Sequence, residues 1–150
     1  MSDIVIALTA LILVGTPVVY LAGRAFPARG AVARWTALTV LAGSWVLVAI
    51  LAFQTNVTEP VPFMVGAVLF RLDALALLFV LLALSAGTIA TLYAGPYVAD
   101  EPGLEKFYAL VLALTGGLIG LACASDLFNL WVWFEVVVTA SYLLVMFYRE

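Results

Sequence analysis

The sequence predicts an all-α integral membrane protein with five transmembrane helices, from its composition, the lengths of its apolar stretches and the placement of its charges. Of 150 residues, 67% are hydrophobic and 10% are charged, whereas a soluble domain carries roughly 25% charged residues. These polar residues are too few to cover the surface of a protein that is surrounded by water. Much of the surface must therefore face the lipid bilayer. The net charge of −3 forms no basic patch, which argues against a nucleic-acid partner.

Five stretches reach the roughly 20 apolar residues that a helix needs to cross about 30 Å of hydrocarbon. They are residues 4–22, 32–53, 72–92, 104–124 and 127–148. The first stretch lacks the basic residues that open a signal peptide, so we interpret it as a retained helix. We treat residues 1–150 as a single transmembrane helical domain.

Basic residues indicate the orientation. Arg24, Arg29 and Arg34 cluster around the first connection with no acidic residue nearby, and the positive-inside rule places such a cluster in the cytoplasm. The N-terminus is then outside and the C-terminus cytoplasmic, in agreement with Arg149 near the end. We expect the cytoplasmic membrane of a prokaryotic cell.

The connection between helices two and three is predicted to be short, non-helical and on the outer side. It contains Thr55, Thr58, Pro60 and Pro62, and prolines and β-branched residues disfavour helix. We expect a hairpin or an extended segment that lies over the outer face.

Small residues recur every four positions in the fourth helix, at Gly116, Gly120 and Ala124. Such spacing lets another helix approach closely. It predicts helix packing, which is a structural role.

Glu135 is the most unusual residue, because it places a carboxyl group in the middle of the fifth helix. Nine residues separate it from Asp126, which is about 14 Å along a helix and close to half the hydrocarbon thickness. An ionised carboxylate facing lipid there is costly, so we expect it to point into protein or a water-filled cavity, or to stay protonated. Thr139 and Tyr142 fall on its face and supply hydroxyl groups.

Two interpretations of Glu135 follow. In the structural one, it is a neutral or paired residue that fixes the orientation of the helix. In the functional one, which we favour, it is a buried residue that loads and unloads a proton.

A second polar group is predicted at the outer boundary, where Arg71 lies at the head of the third helix, Asp73 lies in its first turn and Asp126 lies at the outer end of the fifth helix. Helix-start chemistry explains each residue separately. Their position at the same side also permits an outer polar site.

Three stretches resemble the antiporter-like subunits shared by respiratory complex I, multi-subunit sodium/proton antiporters and membrane-bound hydrogenases. They are residues 71–75 (RLDAL), 107–110 (FYAL) and 126–135 (DLFNLWVWFE) followed by Ser141 and Tyr142. The pattern is most similar to the D-type antiporter subunit and the N-type complex I subunit. The resemblance covers essentially the whole chain but only the N-terminal part of the family's usual protein. That protein has about fourteen helices, a number that comes from the family, whereas the five helices here are counted from the lengths of the spans.

By resemblance, Glu135 matches a proton-channel glutamate that pairs with a lysine on a seventh helix. That lysine has no match among residues 1–150, and Lys106, at the start of the predicted fourth helix, does not substitute for it. The resemblance therefore implies other membrane subunits as partners, including one that supplies the later helices and a midplane lysine. The chain would couple proton movement to sodium exchange or to redox chemistry within that complex.

The alternative is a non-transporting scaffold subunit that docks a larger partner through its small-residue helix face. No nucleotide, flavin, haem or iron–sulfur motif is present, and a single Cys123 without any histidine offers no metal site. We expect no cofactor and no catalysis by the chain alone, whether it serves a quinone oxidoreductase-like complex or a cation/proton antiporter.

Overall fold

A computed structural model describes residues 2–26, 31–54, 61–65, 68–98 and 101–147. Several residues lie outside these ranges: Arg29, Asp100, Arg149, and Thr55, Thr58 and Pro60 of the second connection. The predicted end of the fifth helix, Tyr148, also lies outside them.

Within these described ranges, five helices are long and apolar enough to cross a membrane, which confirms the all-helical membrane class. They are α1 (Ser2–Ala25), α2 (Ala31–Gln54), α3 (Ala74–Val98), α4 (Leu104–Cys123) and α5 (Leu127–Met146). The shortest has 20 residues, which at 1.5 Å per residue is about 30 Å, the thickness of the hydrocarbon core.

The third helix differs most from its predicted limits. Leu72 lies in a strand and Asp73 precedes the first turn, so α3 begins at Ala74 and not at Leu72. The helix continues to Val98, past the predicted end at Leu92, although Pro96 lies inside it. A proline removes one hydrogen bond but does not end a helix whose other side packs well.

Two antiparallel strands lie between α2 and α3. β1 (Val61–Val65) pairs with β2 (Val68–Leu72), with Val61 opposite Leu72. β2 also forms an isolated bridge between Phe70 and Ala124. Ala124 is therefore extended and lies beyond the end of α4, where the sequence placed it in the helix.

The fourth helix is central and the fifth is peripheral. α4 contacts each of the other four helices, whereas α5 has substantial contacts with α4 alone among the described elements. Of the α4 span 56% is buried, against 17% of the α5 span. The two ends of the bundle also differ. The hairpin, Asp73 and Asp126 share one end, whereas Arg24, Arg34 and the start of α4 lie at the other.

The small residues of α4 contact different partners. A methyl group at Gly116 would clash with Ile12 of α1, whereas one at Gly120 would clash with the Trp133 ring of α5. Ala124 pairs with the hairpin. The spacing of four therefore does not form one face for one partner, because α4 lies between helices of the same chain.

Candidate functional site

The start of α5 is fixed by a helix cap. The Asp126 carboxylate accepts the Asn129 backbone N–H at 2.8 Å, and the Asp126 carbonyl accepts the Leu130 N–H at 3.0 Å. An aspartate at this position satisfies amide groups that have no partner within the helix. Because the cap sets where α5 begins, it also sets how deep Glu135 lies.

Two further side chains join this cap to the hairpin. The Asn129 amide and the Ser125 hydroxyl both donate to the Leu69 carbonyl, at 3.2 and 2.5 Å. Asn129 is only 4% exposed. We did not single out either residue from the sequence, although an amide side chain in the first turn of an apolar helix is a usable signal, because a buried polar group needs a partner.

Trp133 sets the rotation of α5 about its axis. Its ring is 8% exposed, lies against Gly120 and has its centroid 6.3 Å from that of Phe70. Two residues further along, at about 100° each, the helix has turned about 200°. Glu135 therefore faces away from the packing surface that Trp133 occupies.

Glu135 is consequently exposed in this chain, which differs from the expected burial. It lies beside a shallow groove of about 330 Å³ between α4 and α5, and Thr139 is also exposed there. Apolar residues form the rest of the groove: Leu110, Ala113, Val136, Ala140 and Leu143. The part of the chain that the structure describes does not supply the enclosure that a buried acid needs.

The predicted polar face of α5 is open. Tyr142 lies two turns beyond Glu135 on the same side and is 64% exposed. Among the described residues, no hydrogen bond joins Glu135 to Thr139 or to Tyr142. The three groups share a face but do not form a closed network within this chain.

At the hairpin end, the structure joins Arg71 with Asp73 but not with Asp126. The Arg71 guanidinium lies 3.1 Å from the Asp73 carboxylate, whose other oxygen accepts the Ala76 N–H at 2.9 Å. This N–H, with help from Arg71 and against the effect of burial, holds the pKa of Asp73 below its ordinary value of 3.8. The Asp126 carboxylate instead accepts the backbone N–H of Asn129. The candidate outer site is therefore an ion pair and a separate helix cap.

Five spanning helices with a carboxyl group on an open helix face define a polytopic membrane protein whose fifth helix has an unpartnered side. No family model matches the chain. It is 40% identical over 78 residues to an NADH-quinone oxidoreductase subunit N of Desulforudis audaxviator. It is 34% identical over 79 residues to a chloroplastic NAD(P)H-quinone oxidoreductase subunit 5 of Adiantum capillus-veneris, and 33% identical over 79 residues to a Na(+)/H(+) antiporter subunit A1 of Staphylococcus haemolyticus.

These matches fit the antiporter-like subunit family and confirm the resemblance seen in the sequence. Each covers about half of this chain, 51% or 53%, and only 16%, 11% and 10% of the respective relatives. The chain is thus similar to membrane subunits of antiporters and quinone oxidoreductases over one segment of proteins that are much longer.

Proposed function

We propose that this chain is the N-terminal part of a proton- or cation-translocating antiporter-like subunit, and that Glu135 carries the transferred proton. The observation that carries the proposal is the position of Glu135 on the open face of α5. It lies eight residues after Leu127, about 12 Å into a helix of about 30 Å. Because Glu135 is exposed near the midplane and does not pack into the core of this chain, a packing role does not explain its carboxyl group.

The exposure of Glu135 also supports a multi-subunit setting. A charged residue that faces lipid at the centre of a helix costs about 2.5–3.5 kcal/mol on insertion scales. A protein segment that covers the groove between α4 and α5 removes that cost. If that segment carries a lysine whose ammonium group lies within about 4–6 Å of the Glu135 carboxyl group, the cation favours the ionised carboxylate. Movement of the lysine then shifts the equilibrium between the protonated and ionised forms of Glu135.

The proposed orientation places the hairpin end outside and the Arg24 and Arg34 end in the cytoplasm of a prokaryotic cell. Arg24 lies in the last turn of α1 and Arg34 lies near the start of α2, at the same end of the bundle. The positive-inside rule supports this direction. The five helices act as one transmembrane domain, and the hairpin lies over its outer face.

The scaffold alternative has less support. It requires a small-residue face of α4 that a partner can reach, yet Ile12 and Trp133 of this chain already lie against Gly116 and Gly120. A partner could use that face only after displacing them. The open surface of the chain is instead on α5, where Glu135 lies.

The test compares Glu135→Gln with Glu105→Gln in membrane vesicles that contain the complete complex. Gln keeps the size of the side chain but cannot carry a proton at neutral pH. Glu105 is a matched control, since it is a half-buried glutamate whose backbone and Cβ pack against Gly23. We expect Glu135→Gln to assemble normally and to lose proton-linked transport, while Glu105→Gln retains both. Unchanged transport with Glu135→Gln would disprove the role of this residue.

A further inference from the structure

A proline inside α3 leaves one backbone carbonyl without its helical partner, and an arginine of α2 binds it. Pro96 has no N–H, so the Leu92 carbonyl four residues earlier loses its usual donor. Arg34 Nη2 donates to that carbonyl at 2.9 Å. The contact joins α2 to α3 at the carbonyl that Pro96 leaves without a helical donor.

Gly95 provides the space for this arginine. A methyl group at residue 95 would lie 2.7 Å from Arg34 Cζ, which is too close for any packed carbon atoms. Gly95 and Pro96 therefore act together, because one admits the guanidinium and the other leaves an acceptor for it. The Arg34 guanidinium is therefore held in one place by these contacts, unlike the charged end of a flexible surface side chain.

Arg34 lies at the level where the hydrocarbon core meets the lipid headgroups. It is the fourth residue of a 24-residue helix, which at 1.5 Å per residue is about 36 Å long and exceeds the hydrocarbon core by about 3 Å at each end. Trp35, Tyr93 and Tyr97 are exposed beside Arg34, Leu92 and Pro96. Exposed aromatic residues of this kind mark the membrane–water interface.

The charge of Arg34 has no counterion within the described part of the chain. The one ion pair there joins Arg71 to Asp73 at the other end of the bundle, and Arg34 Nε is buried without a hydrogen-bond partner. Glu105 does not pair with Arg34, although it lies at the same end. Arg34 is half-buried, and its guanidinium retains its positive charge and terminal N–H donors beyond the one that binds the Leu92 carbonyl.

We propose that Arg34, held by the Leu92 carbonyl and accommodated by Gly95, binds the phosphate of an anionic phospholipid headgroup between α2 and α3. A guanidinium can donate two parallel hydrogen bonds to a phosphate. An anionic headgroup matches the charge of Arg34, which has no ion-pair partner among the described residues, whereas a zwitterionic headgroup also brings an ammonium group of the same sign as Arg34. The bound lipid strengthens the contact between the two helices.

The test uses the delipidated protein, with any subunits that copurify, and measures phosphatidylglycerol binding by native mass spectrometry and melting temperature. Phosphatidylcholine and inorganic phosphate are the comparison ligands. We expect phosphatidylglycerol alone to bind and raise the melting temperature. Arg34→Gln should weaken its binding about tenfold or more, and Arg34→Lys by less, because lysine keeps the charge but lacks the fork. Arg24→Gln is the control, since Arg24 is an exposed arginine at the same end.

Pro96→Ala separates lipid binding from folding. It restores the N–H that binds the Leu92 carbonyl, so Arg34→Gln in that background should fold as well as Pro96→Ala alone and still fail to bind phosphatidylglycerol. Wild-type binding by Arg34→Gln would overturn the proposal. An equal effect of phosphatidylcholine, or of inorganic phosphate alone, would overturn it as well.

Discussion

Replacing Gly120 with alanine tests how α5 is held against α4. The new methyl group would lie 2.5 Å from Trp133 Cε3 and closer still to two other ring atoms. Ordinary contact begins at 3.4 Å, so Cε3 would have to move by about 0.9 Å and the two closer ring atoms by more. Overpacking of this kind costs about 1–3 kcal/mol.

Alanine also favours helix over glycine by about 0.5–1 kcal/mol, so a control must carry the same gain. Gly43→Ala is suitable, because Gly43 lies inside α2 and its methyl group would meet only the end of the Leu11 side chain, at 3.1 Å. The helix preference cancels between the two variants. We expect Gly120→Ala to be less stable than Gly43→Ala by about 1–3 kcal/mol.

Equilibrium unfolding in mixed detergent micelles, followed by tryptophan fluorescence, measures this difference. The double variant Gly120→Ala with Trp133→Leu should recover part of the loss, with a coupling energy above about 0.5 kcal/mol. If Gly120→Ala is as stable as Gly43→Ala, the Trp133 ring does not lie against α4 and the outward rotation of Glu135 loses its basis.

The other predictions concern the hairpin end. Asp126→Ala should destabilise the protein by about 0.5–2 kcal/mol through loss of the α5 cap, whereas Asp126→Asn should have a much smaller effect; equal losses in unfolding experiments would argue against the cap. Asp73 has a lowered pKa in the folded state, so its ionised form contributes stability above about pH 4, and that contribution is lost as the pH falls through the folded-state pKa. The difference in unfolding free energy between wild type and Asp73→Ala should therefore become smaller as the pH is lowered from 7 to 3. A difference that stays constant would contradict a stabilising role for the ionised carboxylate.

The five spanning helices are the part that the sequence predicts well, and the sequence also places Arg71 and Asp73 at one boundary without predicting that they pair. Twenty apolar residues in a row allow few alternatives to a spanning helix, and Arg71 and Asp73 are too close in sequence to lie far apart. Asp73 precedes α3 where a first-turn position was expected, because its carboxylate accepts the Ala76 N–H from the cap position, which aspartate strongly prefers. These features depend on local sequence.

The exposure of Glu135 could not be read from the sequence, because it depends on which side of α5 meets α4. Apolar residues surround the whole helix, so hydrophobicity marks no packed face. The close contact of Trp133 with Gly120 decides the rotation, and such a contact between two helices depends on shape rather than on periodicity. The same holds for Asn129, whose partner Leu69 is 60 residues away.

The most direct measurement asks what covers the face of α5 that carries Glu135. A photoreactive residue at Phe134, which is half exposed beside Glu135, is compared with one at Val46 on α2, which is similarly exposed. In native membranes we predict that the probe at Phe134 crosslinks to a protein segment that carries a lysine at the depth of Glu135, and that the probe at Val46 reacts mainly with lipid. Reaction of both probes with lipid alone would show that α5 faces the bilayer, and would contradict a proton site completed by another segment.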